Sequence, residues 1–218
     1  MNGEFQYAFW YILIGSIFDF SDGFAARALN ASSAIGKELD SLADQVSFGV
    51  APGFAMFFWM KGHANCPCCD CLPYVAFIIT AFSALRLAKF NIDERQTTSF
   101  IGLPTPANAI FLSSLVAASD LLLKEGTSNW FTDICCQPIV MTAIVLVTSY
   151  LLVSEFPMFS LKIKHLGWAG NEMKFILIAF VIAALIASIC FGLIYASAFS
   201  SILFYIAMCC VDYFTKKK

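Results

Sequence analysis

Charge is what this sequence has least of. Only 13% of its 218 residues are Asp, Glu, Lys or Arg, about half the roughly 25% usual in a soluble domain. A formal net charge of -2 offers nothing to a phosphate backbone, so no nucleic-acid partner is expected. The start, Met1-Asn2-Gly3-Glu4, has no basic stretch, so a cleavable signal peptide is not expected. No stretch between the apolar runs is long enough for a soluble domain: the longest, about 60–73, 92–105 and 155–173, are each on the order of a dozen residues or more.

What the chain has is apolar sequence. Hydrophobic residues make up 60% of it, with a mean hydropathy of +0.77, and they are blocked into long runs. As a helix, roughly 20 such residues cross a bilayer at about 1.5 Å per residue. Seven segments are of that order, at roughly 5–29, 35–60, 73–92, 105–124, 133–155, 173–194 and 198–214. The expected fold is therefore all-α and integral to a membrane. It is one polytopic domain over residues 1–218, a bundle of about seven transmembrane helices. The 23 phenylalanines read as packing and lipid-facing residues.

The basic residues orient it. With the first helix running inward, Arg27, Lys37, Arg86, Lys89, Arg95, Lys162, Lys164, Lys174, Lys216, Lys217 and Lys218 all fall at cytoplasmic ends or loops, and only Lys61 and Lys124 fall outside. This topology leaves the amino terminus outside with no signal to carry it there, and a further helix upstream would repair that.

Four aspartates stand out against the apolar background. Asp19 and Asp22 lie three apart in the first segment, Asp40 and Asp44 four apart in the second, so each pair shares a helical face. A short turn around Asn30 to Ser33 can bring the two faces together at the cytoplasmic ends. Carboxylates packed this closely repel unless cations lie among them, and ionisable groups in such segments are usually functional. Hard oxygen ligands suit Mg²⁺ or Mn²⁺. No histidine or cysteine is interleaved, so zinc is not expected. Gly23 and Ala26 remove side-chain bulk beside the first pair and Gly36 does so before the second, which lets a ligand approach or helices pack closely. Arg27 suits a bidentate phosphate contact. Arg86 and Lys89, three apart on the third helix with Asn91 beyond them, are expected to meet lipid phosphate or an acceptor carboxylate, or else to serve as anchors at the cytoplasmic surface. Pro104 and Pro106 bracket the start of the fourth helix and shape the loop before it.

The spacing D-x2-D-G-x2-A-R-x8-G-x3-D-x3-D, filled by Asp19, Asp22, Gly23, Ala26, Arg27, Gly36, Asp40 and Asp44, resembles the signature of the CDP-alcohol phosphatidyltransferase family. The stretches Ser41 to Pro52, Leu85 to Asn91 and Gly102 to Ala107 look like its phosphatidylserine synthase branch. The resemblance implies phosphatidyl transfer from CDP-diacylglycerol to L-serine, with release of CMP, in the cell membrane at the cytoplasmic face. It implies two divalent cations, one held by Asp19, Asp22 and Asp40 and the other by Asp19, Asp40 and Asp44. Asp44 would be the general base, and Gly23, Arg27 and Gly36, with Asp22 and Ala26, would border the cytidine diphosphate. Members are often homodimers, so a second copy of the chain joins membrane lipid and the two substrates as an expected partner. Members of this branch also carry one more helix before the signature pair. Its absence here leads to the expectation that the sequence is truncated, by a wrong start site for example.

Two rivals remain open at this stage. The same transfer could use another alcohol, glycerol phosphate, inositol phosphate or choline. A cation transporter would instead place its carboxylates near the bilayer midplane. The crowded loop holding His63, Cys66, Cys68, Cys69 and Cys71 falls on the opposite side from the aspartates. It reads as incidental or disulfide-bearing, with Cys135 and Cys136 as available partners, in preference to a zinc site.

Overall fold

The computed structural model describes residues 4–31, 33–64, 70–92, 100–158 and 171–216. Helix α1, Phe5–Ala28, is about 36 Å long at 1.5 Å per residue. It ends in a Schellman-type turn: the Ala31 N–H donates to the Ala26 carbonyl at 3.0 Å and the Asn30 N–H to that of Arg27 at 3.3 Å. Asn30 takes the left-handed position at φ 51°, which asparagine tolerates better than most residues. Ser33 then caps α2, Ala34–Asp44, by accepting the Gly36 N–H at 3.1 Å. The reversal expected between Asn30 and Ser33 is thus built by one C-terminal and one N-terminal cap.

Directly after Asp44 the helix widens into a π turn, Gln45–Val50, and resumes as α3, Ala51–Gly62. The second expected segment is therefore one rod with a π turn in its middle, where periodicity suggested a uniform helix. A 3-10 turn at Leu72–Ala76 leads into α4, Phe77–Ile92. Then come α5, Thr105–Lys124; α6, Trp130–Cys135; α7, Pro138–Val153; α8, Glu172–Phe191; and α9, Ile194–Lys216. The segment expected at 133–155 is in fact two helices. Pro138 starts α7 and holds Gln137 extended (φ -85°, ψ 113°), because the residue before a proline is pushed out of the helical region.

Among the described residues, four stretches are long and apolar enough to cross a membrane: Leu72–Ile92, Thr105–Lys124, Glu172–Phe191 and Ile194–Thr215. Helix α7 is apolar but shorter. The protein is a mostly helical, multi-pass membrane protein. A pairing the sequence did not suggest joins β1, Phe100–Ile101, to β2, Pro157–Met158, antiparallel, with Phe100 opposite Met158 and Ile101 opposite Pro157.

Helix α5 is the axis of the bundle, with α1, α3 and α9 packed around it. The largest core cluster brings Met56, Trp59 and Met60 of α3 against Ile79, Leu112, Val116, Met141 and Val145. Hydroxyls on α5 enter this core by bonding their own helix: Ser113 donates to the Ala109 carbonyl at 2.7 Å and Ser119 to that of Leu115 at 2.9 Å, so these two hydroxyls are not left bare. Of the cysteines near the other end, Cys71, Cys135 and Cys136 are free thiols; Cys66, Cys68 and Cys69 lie outside the described residues, as do Arg95, Lys162 and Lys164.

Candidate active site at the aspartate cluster

The end of α1 and the whole of α2 bring their carboxylates together. Asp19, Asp22 and Asp40 each present one oxygen, all within 4.8 Å of one another, a spacing that one small cation could bridge. Asp44 stands beside them, near enough to Asp19 for the two carboxyls to interact. All four signature aspartates thus share one site. The fit to a divalent ion rests on the donor set: oxygen only, from four acids, with no soft ligand among them.

Beside the cluster runs an open groove of about 770 Å³, bordered by Asp22, Gly23, Ala26, Arg27, Gly36, Lys37 and Asp40 among others. The Arg27 guanidinium folds back over Gly23, where an added Cβ would lie 3.5 Å from Nη1. Without that Cβ, the α1 backbone stays open to whatever Arg27 binds. At Gly36 a Cβ would stand 3.0 Å from the Ser33 hydroxyl, the group that caps α2. This glycine therefore serves the turn as well as the groove.

Helix α4 closes the other side, and the structure separates its two basic residues. Arg86 is buried, 8% exposed, and near enough to Asp44 for their charges to interact. It donates to Thr105 Oγ1 at 3.2 Å, and its guanidinium lies 5.5 Å from the Phe90 ring centroid. Lys89 is exposed and reaches the end of α7, donating to the Val153 carbonyl at 3.4 Å. Asn91 ties α4 to α2: its side chain donates to Ser41 Oγ at 3.0 Å, and Lys37 Nζ donates to its carbonyl at 3.4 Å. Thr105 and Ser41 were not picked out by pattern. Both lie inside the stretches that carry the resemblance, Ser41 to Pro52 and Gly102 to Ala107, but a hydroxyl is too common a feature to single out before its partner is known.

The loop before α5 fixes Thr105. Gly102 has φ 74°, and a Cβ there would stand 2.7 Å from the Leu152 carbonyl, so the position requires glycine. The Gly102 N–H donates to the Phe156 carbonyl and the Leu103 N–H to that of Leu151, both at 2.9 Å. The strap is thereby clamped to the end of α7.

Residues 1–152 match the family described as CDP-alcohol phosphatidyltransferase. The chain is similar to the CDP-diacylglycerol–serine O-phosphatidyltransferase of Bacillus subtilis, 41% identical over 118 residues, which is 54% of this chain and 64% of that protein. It is 38% identical over 114 residues to the one of Helicobacter pylori strain J99, covering 50% of this chain and 45% of the relative. With the one of Mycobacterium leprae it is 36% identical over 154 residues, 67% of this chain and 47% of the relative. The chain spans about half to two thirds of the length of these relatives.

Proposed function

Since the chain belongs to the CDP-alcohol phosphatidyltransferase family, we propose that it transfers a phosphatidyl group from CDP-diacylglycerol to L-serine, releasing CMP. The observation that carries this reading is the meeting of Asp19, Asp22 and Asp40 within 4.8 Å at the edge of a groove holding Arg27 and Lys37. Acids for cations stand next to bases for phosphate, as a nucleotide-activated lipid requires. Similarity to serine phosphatidyltransferases of several organisms favours serine over glycerol phosphate or inositol phosphate.

In this reading Asp19, Asp22 and Asp40 hold one divalent cation and Asp19, Asp40 and Asp44 a second, Mg²⁺ or Mn²⁺. When bound, such ions neutralise the pyrophosphate and the departing CMP. Arg27 takes a phosphate oxygen across the bare face of Gly23, while Gly36 and Ala26 leave room for the cytidine. The serine hydroxyl oxygen attacks the phosphatidyl phosphorus, the bond to CMP breaks, and Asp44 receives the hydroxyl proton. Arg86, buried beside Asp44, takes the serine carboxylate; Lys89, on the exposed rim, suits lipid phosphate. The site faces the cytoplasm from the cell membrane, in keeping with the distribution of basic residues, and a second copy of the chain is a partner consistent with the family.

The test is CMP release by purified protein with CDP-diacylglycerol, Mn²⁺ or Mg²⁺, and a panel of alcohols. Release that depends on serine and stops on chelation is expected. No release with any alcohol, or faster release with glycerol phosphate or inositol phosphate than with serine, would contradict the reading.

A further inference from the structure

Next to Asp44 the structure leaves an unusual set of polar atoms without partners. Among the described residues, the buried side-chain atoms with no hydrogen bond are Gln45 Oε1, Ser83 Oγ, Arg86 Nε, both amide atoms of Asn108, and Ser149 Oγ. Ser83 and Asn108 are fully buried, at 0% exposure. Other buried hydroxyls of the bundle, Ser113, Ser114 and Ser119, bond carbonyls of their own helix; Ser83 does not. Bare polar groups inside an apolar bundle are costly, so they call for a partner of their own.

Four of these residues lie on three adjoining elements, the π turn, α4 and α5. Gln45 follows Asp44 directly, and its amide nitrogen donates to the Thr80 carbonyl at 2.8 Å, which leaves its oxygen bare. Gly49, one turn on, is so close to α4 that an added Cβ would lie 3.0 Å from both Gln45 and Ser83. Ser83 is one turn from Arg86 on α4, and Asn108 one turn from Thr105 on α5. The Arg86–Thr105 bond joins these two helices, and the π turn packs against both, with Phe48 set against Ala109 beside Asn108.

The chemistry of the set is that of an amino acid turned inside out. Two donors, Arg86 Nε and the Asn108 amide N–H₂, suit a carboxylate. Three acceptors, Gln45 Oε1, Ser83 Oγ and Asn108 Oδ1, match the three N–H groups of an ammonium, which has donors and no acceptor. We infer that Gln45, Ser83 and Asn108, together with Arg86, form the acceptor subsite that recognises the α-ammonium and α-carboxylate of the alcohol and aims its hydroxyl at Asp44. This rests on the phosphatidyl-transfer reading and extends it. Specificity lies in three neutral side chains outside the aspartate signature. An acceptor without the ammonium leaves three buried oxygens unpaired, and a phosphate-bearing acceptor sets its negative charge against them.

The experiment compares L-serine with 3-hydroxypropionate, which keeps the hydroxyl and carboxylate but lacks the ammonium, as acceptors in the CMP-release assay. The unaltered protein should prefer serine strongly. Asn108→Ala and Ser83→Ala should each raise the KM for serine by roughly tenfold or more while leaving the KM for CDP-diacylglycerol within about twofold, and the preference for serine over 3-hydroxypropionate should shrink in step. Because each substitution removes an unpartnered polar atom, thermal stability should hold or rise. An unchanged preference ratio in these variants would overturn the inference and assign the polar atoms to bound water. If Asn108→Ala no longer binds CDP-diacylglycerol, Ser83→Ala decides by the same ratio. If the unaltered protein releases no CMP with serine, the phosphatidyl-transfer reading itself fails and takes the subsite with it.

Discussion

Helix α2 and helix α5 are built on opposite principles. Helix α2 carries Asp40 and Asp44 and has no buried residue. Helix α5 buries Leu112, Leu115, Val116, Ala117 and most of its other side chains. One is held by its ends: the Ser33 cap, the run into the π turn, and the polar ties from Ser41 and Lys37 to Asn91 at the end of α4. The other is held along its whole length by packing. Helix α8, the most apolar of the candidate spans, has only 11% of its span buried against 67% for α5. Hydropathy therefore marks what faces lipid, while burial follows position in the bundle. A helix free of packing can carry two charged ligands and open onto a groove; a packed one fixes where that groove ends.

The comparison predicts that changes on the two sides separate chemistry from folding. The largest effect is expected at Asp44. Asp44→Asn keeps the shape and removes the base, so CMP release should fall by roughly 10²- to 10⁴-fold with little change in the melting temperature measured in detergent. A large fall in that temperature would show the carboxylate to be structural. Next is Gly102→Ala on the clamped strap beside α5. Its left-handed backbone and the approach to the Leu152 carbonyl at 2.7 Å should cost about 1–2 kcal/mol or more, read as a lower thermal midpoint together with weaker activity. The smallest is Asn91→Ala. Loss of its bond to Ser41 costs about 0.5–1.5 kcal/mol and loosens α2 locally. The metal concentration for half-maximal activity should rise a few-fold, roughly in line with that energy, while global unfolding barely moves. A global destabilisation equal to that of Gly102→Ala would break the distinction between the two regions.

Much of this was legible beforehand, for physical reasons that differ by region. Long apolar runs separate lipid-spanning helices from links, and the fixed spacing of Asp19, Asp22, Asp40 and Asp44 put two carboxylates on each of two faces. The asparagine at position 30 marked the reversal that joins them. What stayed hidden depends on partners distant in sequence. The β1–β2 pairing joins residues more than fifty positions apart. The burial of Arg86 follows from α5 and the π turn closing around it, whereas its neighbour Lys89 stays exposed. The π turn after Asp44 has no simple periodic signature. The break before α7 could have been read from Pro138 had the apolar run not masked it.

The central claim, that these carboxylates act together as a cation site, is tested most directly by Mn²⁺ binding followed by electron paramagnetic resonance on purified protein with CDP-diacylglycerol. About two Mn²⁺ per chain should bind in the unaltered protein, and Asp40→Asn, which removes a ligand common to both sites, should weaken both. Equal Mn²⁺ stoichiometry and affinity in the unaltered and Asp40→Asn proteins would contradict the account.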